Sequence, residues 1–231
     1  MPDIRFIYFD LDDTLLDHGH AERQALTATV QQYDHVFNGH DLQEILTTYH
    51  RTNLGLWRDY ALGNISKQDL KDRRFAGLVD SFGVSDVDPA ELSNCYLSHY
   101  SNHWQYCRGA DRVFHQLADS FPVGVITNGF ETTQIKKLDA FTDLRDRLSA
   151  LVISETTGYL KPDGRLFEFA AAKAGLSGAE ILYVGDSYES DVEGAQDAGW
   201  NVAWYVPDET RRRETDAYVF EDWAEFDLGK I

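Results

Sequence analysis

The chain has 231 residues and a mass of 26.3 kDa, which suits one medium domain or a core domain with a smaller insert. Acidic residues outnumber basic ones by 39 to 21, and the net charge of −18 argues against nucleic-acid polymers and anionic membranes as partners. Two cysteines make no disulfide framework, and neither a secretory signal nor an apolar run of the roughly 18 residues that span a membrane is evident, so we expect a cytoplasmic protein.

The first predicted strand covers residues 4–9, and its apolar residues lead directly into acids. From about residue 20 to 103 the sequence becomes polar, aromatic and helix-patterned, with breaks at Gly63-Asn64 and Phe82-Gly83. No strand pattern occurs in this stretch, so we expect a compact bundle of three or four helices. The helices are predicted at residues 22–33, 41–60, 66–82 and 89–104.

After Gly109 short apolar strands alternate with helices of about ten residues, which is typical of βαβ units and a parallel sheet. The predicted fold class is therefore α/β, with a Rossmann-like parallel sheet core and an inserted helical bundle. The strands are predicted at residues 123–127, 150–154, 181–184, 201–206 and 218–220, and the helices at residues 111–120, 131–138, 165–175 and 190–199.

Acidic side chains follow two of the predicted strands, at the sheet edge where ligands bind in open parallel sheets. Asp10 and Asp12 come after the first strand, and Asp186 comes after the strand at 181–184. Crowded carboxylates repel one another, so they must take up a proton or bind a cation. Mg²⁺ suits such a site because it typically uses one or two carboxylates together with substrate phosphate.

Groups that bind anions occur at the ends of two further strands. Thr127 offers a hydroxyl, the Asn128-Gly129 backbone offers N–H groups at the start of a helix, and Lys161 offers a positive charge. A cation, a lysine and such donors around a carboxylate are typical of a phosphoryl-transfer site.

Four segments of the sequence resemble, in order, the four motifs of the haloacid dehalogenase (HAD) superfamily. The run Asp10-Leu-Asp12-Asp13-Thr14 matches the DxDxT signature, Thr127 the second motif and Lys161 the third. Asp186 with Asp191 matches the GDxxxxD form of the fourth motif. The resemblance covers nearly the whole chain, because the helical insert lies where this superfamily places a helical cap of the first type.

The resemblance implies a role for each matching residue. Asp10 would attack phosphorus and form an aspartyl-phosphate, and Asp12 would protonate the leaving oxygen and then deprotonate water. Asp12 favours phosphate esters, because the true dehalogenases of this superfamily lack this acid. Asp191 would lie behind the metal and orient Asp186 or a metal-bound water. Mg²⁺ would be held by Asp10, the backbone carbonyl of Asp12, and Asp186, and the phosphoryl oxygens would be contacted by Thr127, Asn128 and Lys161.

The domain division is also implied by the resemblance. A core domain would comprise residues 1–16 and 107–231, and a cap domain would comprise residues 17–106. Aromatic side chains stack on bases, so part of the cap could line a substrate pocket, although the same aromatic residues could instead pack the bundle core. The candidate pocket residues are Trp57, Arg58 and Tyr60.

Four shorter stretches resemble bacterial pyrimidine 5′-nucleotidases of the HAD group: residues 126–130 and 152–155 in the core, and 56–60 and 63–66 in the cap. This resemblance implies a Mg²⁺-dependent phosphatase for small phosphate monoesters, acting on nucleoside monophosphates. We expect a monomer or homodimer. Sugar-phosphate and acylneuraminate-phosphate phosphatases share the core motifs and remain alternatives. A phosphomutase, a dehalogenase and a non-catalytic binding module are further alternatives.

Overall fold

A computed structural model describes residues 3–231 of the chain. The strands are β1 (Phe6–Phe9), β2 (Val123–Thr127), β3 (Leu148–Ile153), β4 (Ile181–Gly185), β5 (Asn201–Tyr205) and β6 (Tyr218–Phe220). The helices are α1 (His18–Gln32), α2 (Asp34–Phe37), α3 (Leu42–Ala61), α4 (Lys67–Phe82), α5 (Pro89–Tyr100), α6 (Ala110–Ala118), α7 (Glu131–Ala140), α8 (Thr142–Arg145), α9 (Ser154–Thr157), α10 (Gly164–Ala174) and α11 (Gly194–Asp197).

The strands form one parallel sheet in the order β3-β2-β1-β4-β5-β6. All residues of β1, β2 and β4 are buried, as expected for apolar strands that are covered on both faces. Successive residues of β1 serve opposite faces: Ile7 and Phe9 belong to one hydrophobic cluster, and Phe6 and Tyr8 to another. Phe9 pairs with Val184 of β4, so the ends of these two strands lie side by side.

The described chain divides into two compact units. One contains residues 3–17 and 105–231, and the other contains residues 18–104. In the first unit, the two segments that lead to and from the second run together, because Leu16 and Tyr106 form an antiparallel bridge and the Asp17 N–H donates to Gln105 O.

The second unit, residues 18–104, consists of α1 to α5 and will be called the helical unit. Its core is formed by aliphatic and aromatic side chains of all five helices, including Leu26, Tyr49 and Phe75. Ser66 caps α4 through a reciprocal pair of hydrogen bonds with Asp69, which satisfies backbone donors at the helix start. The sheet and the inserted bundle confirm the predicted fold class. Within residues 3–231, no helix combines the length and the apolar character that crossing a membrane requires.

The helical unit has five helices rather than three or four, because the short α2 was not predicted, and several element bounds differ from the prediction by up to four residues. Two of the differences in the sheet-based unit have a local cause. The helix predicted at 190–199 begins earlier, as a π-helical segment (Tyr188–Glu193) that passes into α11. Its widened turn is supported by the Val192 N–H, which donates to Ser187 O at 3.2 Å. The strand predicted to end at Ser154 ends at Ile153, because Ser154 begins α9.

Candidate active site

Asp10 follows β1 directly and is buried at the carboxyl edge of the sheet. Its Oδ1 atom accepts a hydrogen bond from Lys161 Nζ at 2.6 Å. Burial raises the pKa of the Asp10 carboxyl to about 7, although the Lys161 charge opposes that rise. Asp10 is thus a desolvated carboxylate whose charge is stabilised by a neighbouring cation.

Lys161 lies in the loop between α9 and α10, and its side chain is almost completely buried. Besides Asp10, Nζ donates to Asp191 Oδ1 at 2.7 Å and to the Tyr183 hydroxyl at 2.8 Å. Burial by itself would lower the pKa of Lys161, but Asp10 and Asp191 raise it above its usual value. The lysine therefore supplies a fixed positive charge.

Three carboxylates converge around this lysine. One oxygen from each of Asp10, Asp186 and Asp191 lies within 4.8 Å of the other two. Burial raises the pKa of Asp186 well above its usual range, and the charges of Asp191 and Asp10 raise it further. Carboxylates placed this close and this far from water are stabilised by a hard cation with oxygen ligands.

Asp186 is positioned by two neighbours. Thr14 Oγ1 donates to its Oδ1 atom at 3.3 Å, and Trp204 Nε1 donates to its backbone carbonyl at 2.8 Å. Arg211 Nη2 also lies 3.6 Å from Asp186 Oδ2, but about half of the arginine side chain is exposed. Three carboxylates outnumber the two cations Lys161 and Arg211, so the cluster must hold a proton or a further cation, and its oxygen donors fit Mg²⁺.

Asp191 reaches the cluster because of the local backbone. The Ser187 N–H donates to Asp191 Oδ2 at 2.9 Å, which folds the carboxylate back against the end of β4. Gly185 makes this possible, since a Cβ atom there would lie 2.5 Å from the Asp191 carboxyl carbon. The π-helical segment and a glycine together bring the third carboxylate to Lys161.

Asp12 is held separately, by residues of α7. Lys137 Nζ lies 2.5 Å from Asp12 Oδ1, and Gln134 Nε2 donates to Oδ2 at 2.9 Å. Gln134 Nε2 also donates to Thr127 Oγ1 at 2.7 Å. About a quarter of the Asp12 side chain is exposed, whereas Gln134 and Lys137 are buried. Asp12 thus keeps contact with solvent while both of its carboxylate oxygens are bound.

The Asn128 side chain supports the loop that carries Lys161. Its Oδ1 atom accepts from the Lys161 N–H at 2.8 Å, and its Nδ2 atom donates to the Lys161 carbonyl at 3.0 Å. The next N–H, that of Gly129, donates to Ser154 Oγ at 3.1 Å. In this arrangement the Asn128 carboxamide fixes the position of Lys161.

The sequence model of the haloacid dehalogenase-like hydrolase family matches residues 4–199 of this chain. The chain belongs to the haloacid dehalogenase-like hydrolase family. The resemblance that the four motifs suggested is confirmed, and so is the prediction that the protein is a hydrolase.

The alignments with relatives in this family extend over almost the whole of this chain. Pyrimidine 5′-nucleotidase YjjG of Escherichia coli (strain K12) is 31% identical over 98% of this chain and 95% of its own length. Pyrimidine 5′-nucleotidase PynA of Streptococcus pneumoniae (strain ATCC BAA-255 / R6) is 32% identical over 97% of this chain and 93% of its own. The crystal structure of the HAD-hydrolase YfnB from Bacillus subtilis bound to magnesium superposes with a TM-score of 0.80 at 27% identity, covering 96% of each chain.

The HAD-like site brings together most of the residues that the sequence singled out. Asp10, Lys161, Asp186 and Asp191 form one buried cluster. Gln134 hydrogen-bonds to both Asp12 and Thr127, and the Asn128 side chain hydrogen-bonds to the backbone of Lys161. The chemical roles of these residues stay predictions.

The candidate pocket residues Trp57, Arg58 and Tyr60 lie on α3 of the helical unit. The rings of Trp57 and Tyr60 contact each other edge to face, with centroids 5.8 Å apart. Both aromatic side chains are half-buried and Arg58 is exposed. None of the three belongs to the buried core of the helical unit, and their part in a substrate pocket stays a prediction.

Sequence reasoning missed Gln134, Lys137, Tyr183 and Arg211. Lys137 precedes the buried Leu138, so a reading of the buried stripe of α7 could have found it. Tyr183 lies within an apolar strand, and its hydroxyl is recognisable as part of the cluster only once Lys161 is placed beside it. Arg211 belongs to a run of three arginines that reads as a solvated loop.

Proposed function

We propose that this hydrolase is a Mg²⁺-dependent phosphatase that acts on small phosphate monoesters through an aspartyl-phosphate on Asp10. The observation that carries the proposal is the buried Asp10 carboxylate, bound to Lys161 at 2.6 Å and clustered with Asp186 and Asp191. A second acid, Asp12, lies two residues away and is held by different side chains.

The proposed metal ligands are Asp10, Asp186 and the backbone carbonyl of Asp12. When bound, Mg²⁺ would neutralise charge on the phosphoryl group and so favour its approach to a carboxylate. Lys161, the Thr127 hydroxyl and the Asn128 backbone would contact the phosphoryl oxygens. Asp191 would keep Lys161 in place through its 2.7 Å bond and orient Asp186.

The reaction would proceed in two halves. In the first, a carboxylate oxygen of Asp10 attacks phosphorus, the ester P–O bond breaks, and Asp12 gives its proton to the leaving oxygen. In the second, Asp12 takes a proton from water, the water oxygen attacks phosphorus, and the bond from phosphorus to Asp10 breaks. Free phosphate leaves, and both aspartates return to their starting protonation states.

The substrates we propose are nucleoside 5′-monophosphates, with residues 17–106 acting as a cap that selects among them. This choice is supported by the two pyrimidine 5′-nucleotidases that match nearly the full length of the chain. Trp57 and Tyr60 supply half-buried aromatic surface in the helical unit, which suits stacking on a base. The net charge of −18 supports a single small phosphate ester rather than a polymer as partner.

A phosphate-release screen over nucleotides and sugar phosphates, with and without Mg²⁺, tests the proposal. We expect the fastest release from pyrimidine nucleoside 5′-monophosphates, no release without a divalent cation, and no release by the Asp10→Asn variant. Asp216→Asn changes an exposed aspartate of the same unit and is the matched control, with activity like that of the wild type. Phosphate release by the Asp10→Asn variant would disprove the assignment of Asp10 as the nucleophile. Faster release from sugar phosphates than from nucleotides would mean that sugar phosphates are the substrates.

A further inference from the structure

The side chains that bind Asp12 come from a single face of α7. Gln134 and Lys137 are three positions apart, so they project from neighbouring positions of the helix surface. Gln134 is 1% exposed and Lys137 is 3% exposed. Burying a lysine is costly unless its charge is paired, and Asp12 Oδ1 lies 2.5 Å from its Nζ atom. Burying the Lys137 ammonium beside the Asp12 carboxylate therefore carries a desolvation cost that lowers the stability of the fold.

Gln134 occupies its position because the preceding loop leaves room for it. A Cβ atom on Gly129 would lie 2.6 Å from Gln134 Nε2. The Gln134 Oε1 atom is buried and has no hydrogen-bond partner among the described residues, whereas Nε2 donates to both Asp12 and Thr127. The orientation of the carboxamide is thus set by these two acceptors, which fixes the distance between Asp12 and Thr127.

We propose that Gln134 and Lys137 are positioning residues that hold the Asp12 carboxyl group toward the oxygen of the leaving group and the attacking water. This inference rests on the proposed function, which gives Asp12 its two proton transfers. The two oxygens of a carboxylate have about four lone-pair positions, so accepting from Gln134 and Lys137 is compatible with proton transfer at the same group. Losing these donors weakens the hold on the partly exposed Asp12 side chain, and a misplaced acid loses most of its effect.

Leaving-group dependence separates this role from a general loss of structure. An alkyl ester such as a nucleoside monophosphate needs a proton on its leaving oxygen, whereas dinitrophenolate leaves without one. Formation of the aspartyl-phosphate from dinitrophenyl phosphate should therefore be insensitive to the position of Asp12. Its hydrolysis should remain sensitive, because Asp12 must still accept a proton from water.

The experiment compares Lys137→Met and Gln134→Met with Lys136→Met, which changes an exposed lysine on the same helix. We expect Lys137→Met to lower kcat for the nucleotide by about 10²-fold with little change in KM, because a misplaced acid acts on turnover rather than on binding. With dinitrophenyl phosphate, rapid mixing should show a burst of dinitrophenolate followed by slow turnover. Lys137→Arg keeps a cationic donor and should restore part of kcat.

Three results would overturn the inference while leaving the proposed function intact. Lys137→Met and Gln134→Met could both match Lys136→Met, the burst rate and the steady rate could fall together, or Lys137→Arg could restore nothing. If Lys137→Met fails to fold by circular dichroism, the same comparison with Gln134→Met decides. If the wild type releases no phosphate from any ester, the proposed function fails and the inference fails with it.

Discussion

The unit built on the sheet and the helical unit both bury acidic side chains, but they treat them differently. In the first, Asp10, Asp186 and Asp191 cluster around one buried lysine, and burial holds the pKa values of Asp10 and Asp186 above their usual range. In the helical unit, Glu22 is buried alone and surrounded by donors. The comparison distinguishes a cluster of carboxylates that could hold a metal ion from a single carboxylate whose oxygens are hydrogen-bonded by neighbouring side chains.

Side chains of the helical unit hydrogen-bond to both carboxylate oxygens of Glu22. His50 Nδ1 lies 2.8 Å from Glu22 Oε1, and Asn53 Nδ2 donates to Oε2 at 3.1 Å. His18 Nε2 approaches Oε2 at 3.7 Å. Burial tends to raise the pKa of Glu22, but the hydrogen bond from His50 and the nearby histidine charges lower it below its usual value.

Removing Lys161 should have the largest effect on stability. Lys161→Met leaves Asp10 and Asp191 buried without their cation, and breaking a buried ion pair on one side costs about 3–5 kcal/mol in the free energy of unfolding. Urea unfolding at pH 8 in the absence of divalent cations measures this difference. Lys136→Met is the control, and a loss no greater than that of the control would show that the cluster does not depend on Lys161.

Adding Mg²⁺ should stabilise the sheet-based site and leave the Glu22 site unaffected. A cation at one hundred times its dissociation constant adds about 2.7 kcal/mol to the free energy of unfolding. Calorimetry with and without Mg²⁺ should show a rise in Tm for the wild type and for Glu22→Gln, but no rise for Asp186→Asn. An equal rise in Asp186→Asn would place the cation elsewhere.

The candidate site at the strand ends could be predicted from sequence more fully than the candidate pocket of the helical unit, for a physical reason. In a parallel sheet the strand ends share one edge, so Asp10, Lys161 and Asp186 could be placed together from the strand pattern. Gln134 and Lys137 could not, because their contact with Asp12 depends on how α7 is rotated against the sheet. The π-helical turn that delivers Asp191 also has no distinct signal in the sequence.

The helical unit offers no such shared edge. Its four longer helices were predicted to within four residues, with breaks at Gly63-Asn64 and Phe82-Gly83, because polar and apolar residues alternate with a helical period, whereas the four-residue α2 was missed. The face of α3 that carries Trp57 and Tyr60 follows from packing among several helices, which a sequence pattern does not determine. The proposed substrate pocket is therefore harder to predict from sequence than the cluster at the strand ends.

Replacing Trp57 should change selectivity without changing the chemistry. Stacking of an aromatic side chain on a base contributes about 1–3 kcal/mol, so Trp57→Leu should raise KM for a nucleoside monophosphate and leave KM for glycerol phosphate unchanged. Steady-state kinetics on both substrates measure the difference. Leu54→Ala changes an exposed position of the same helix and serves as the control. Equal changes in KM for the two substrates would show that Trp57 does not line the proposed pocket.

Glu22→Gln should have the smallest effect, and its pH dependence shows whether Glu22 is satisfied by the fold. Hydrogen bonds to a charged group contribute about 1.5–3 kcal/mol, so the variant should lose about 2 kcal/mol of unfolding free energy at pH 7. Because the folded pKa of Glu22 lies below its usual 4.5, the stabilisation is complete above that pH and disappears as the pH falls through the folded pKa. Urea unfolding at successive pH values should show the wild type and Glu22→Gln converging in acid.

The matched control for this change is Glu91→Gln, an exposed glutamate of the same unit, which should shift the unfolding free energy by less than about 0.5 kcal/mol. Neither variant should alter the response to Mg²⁺, because the groups around Glu22 are side chains of α1 and α3 rather than a bound cation. A Glu22→Gln variant more stable than the wild type at pH 7 would mean that the charge of Glu22 is unsatisfied. The helical unit would then contain an unbalanced carboxylate of the same kind as the cluster around Lys161.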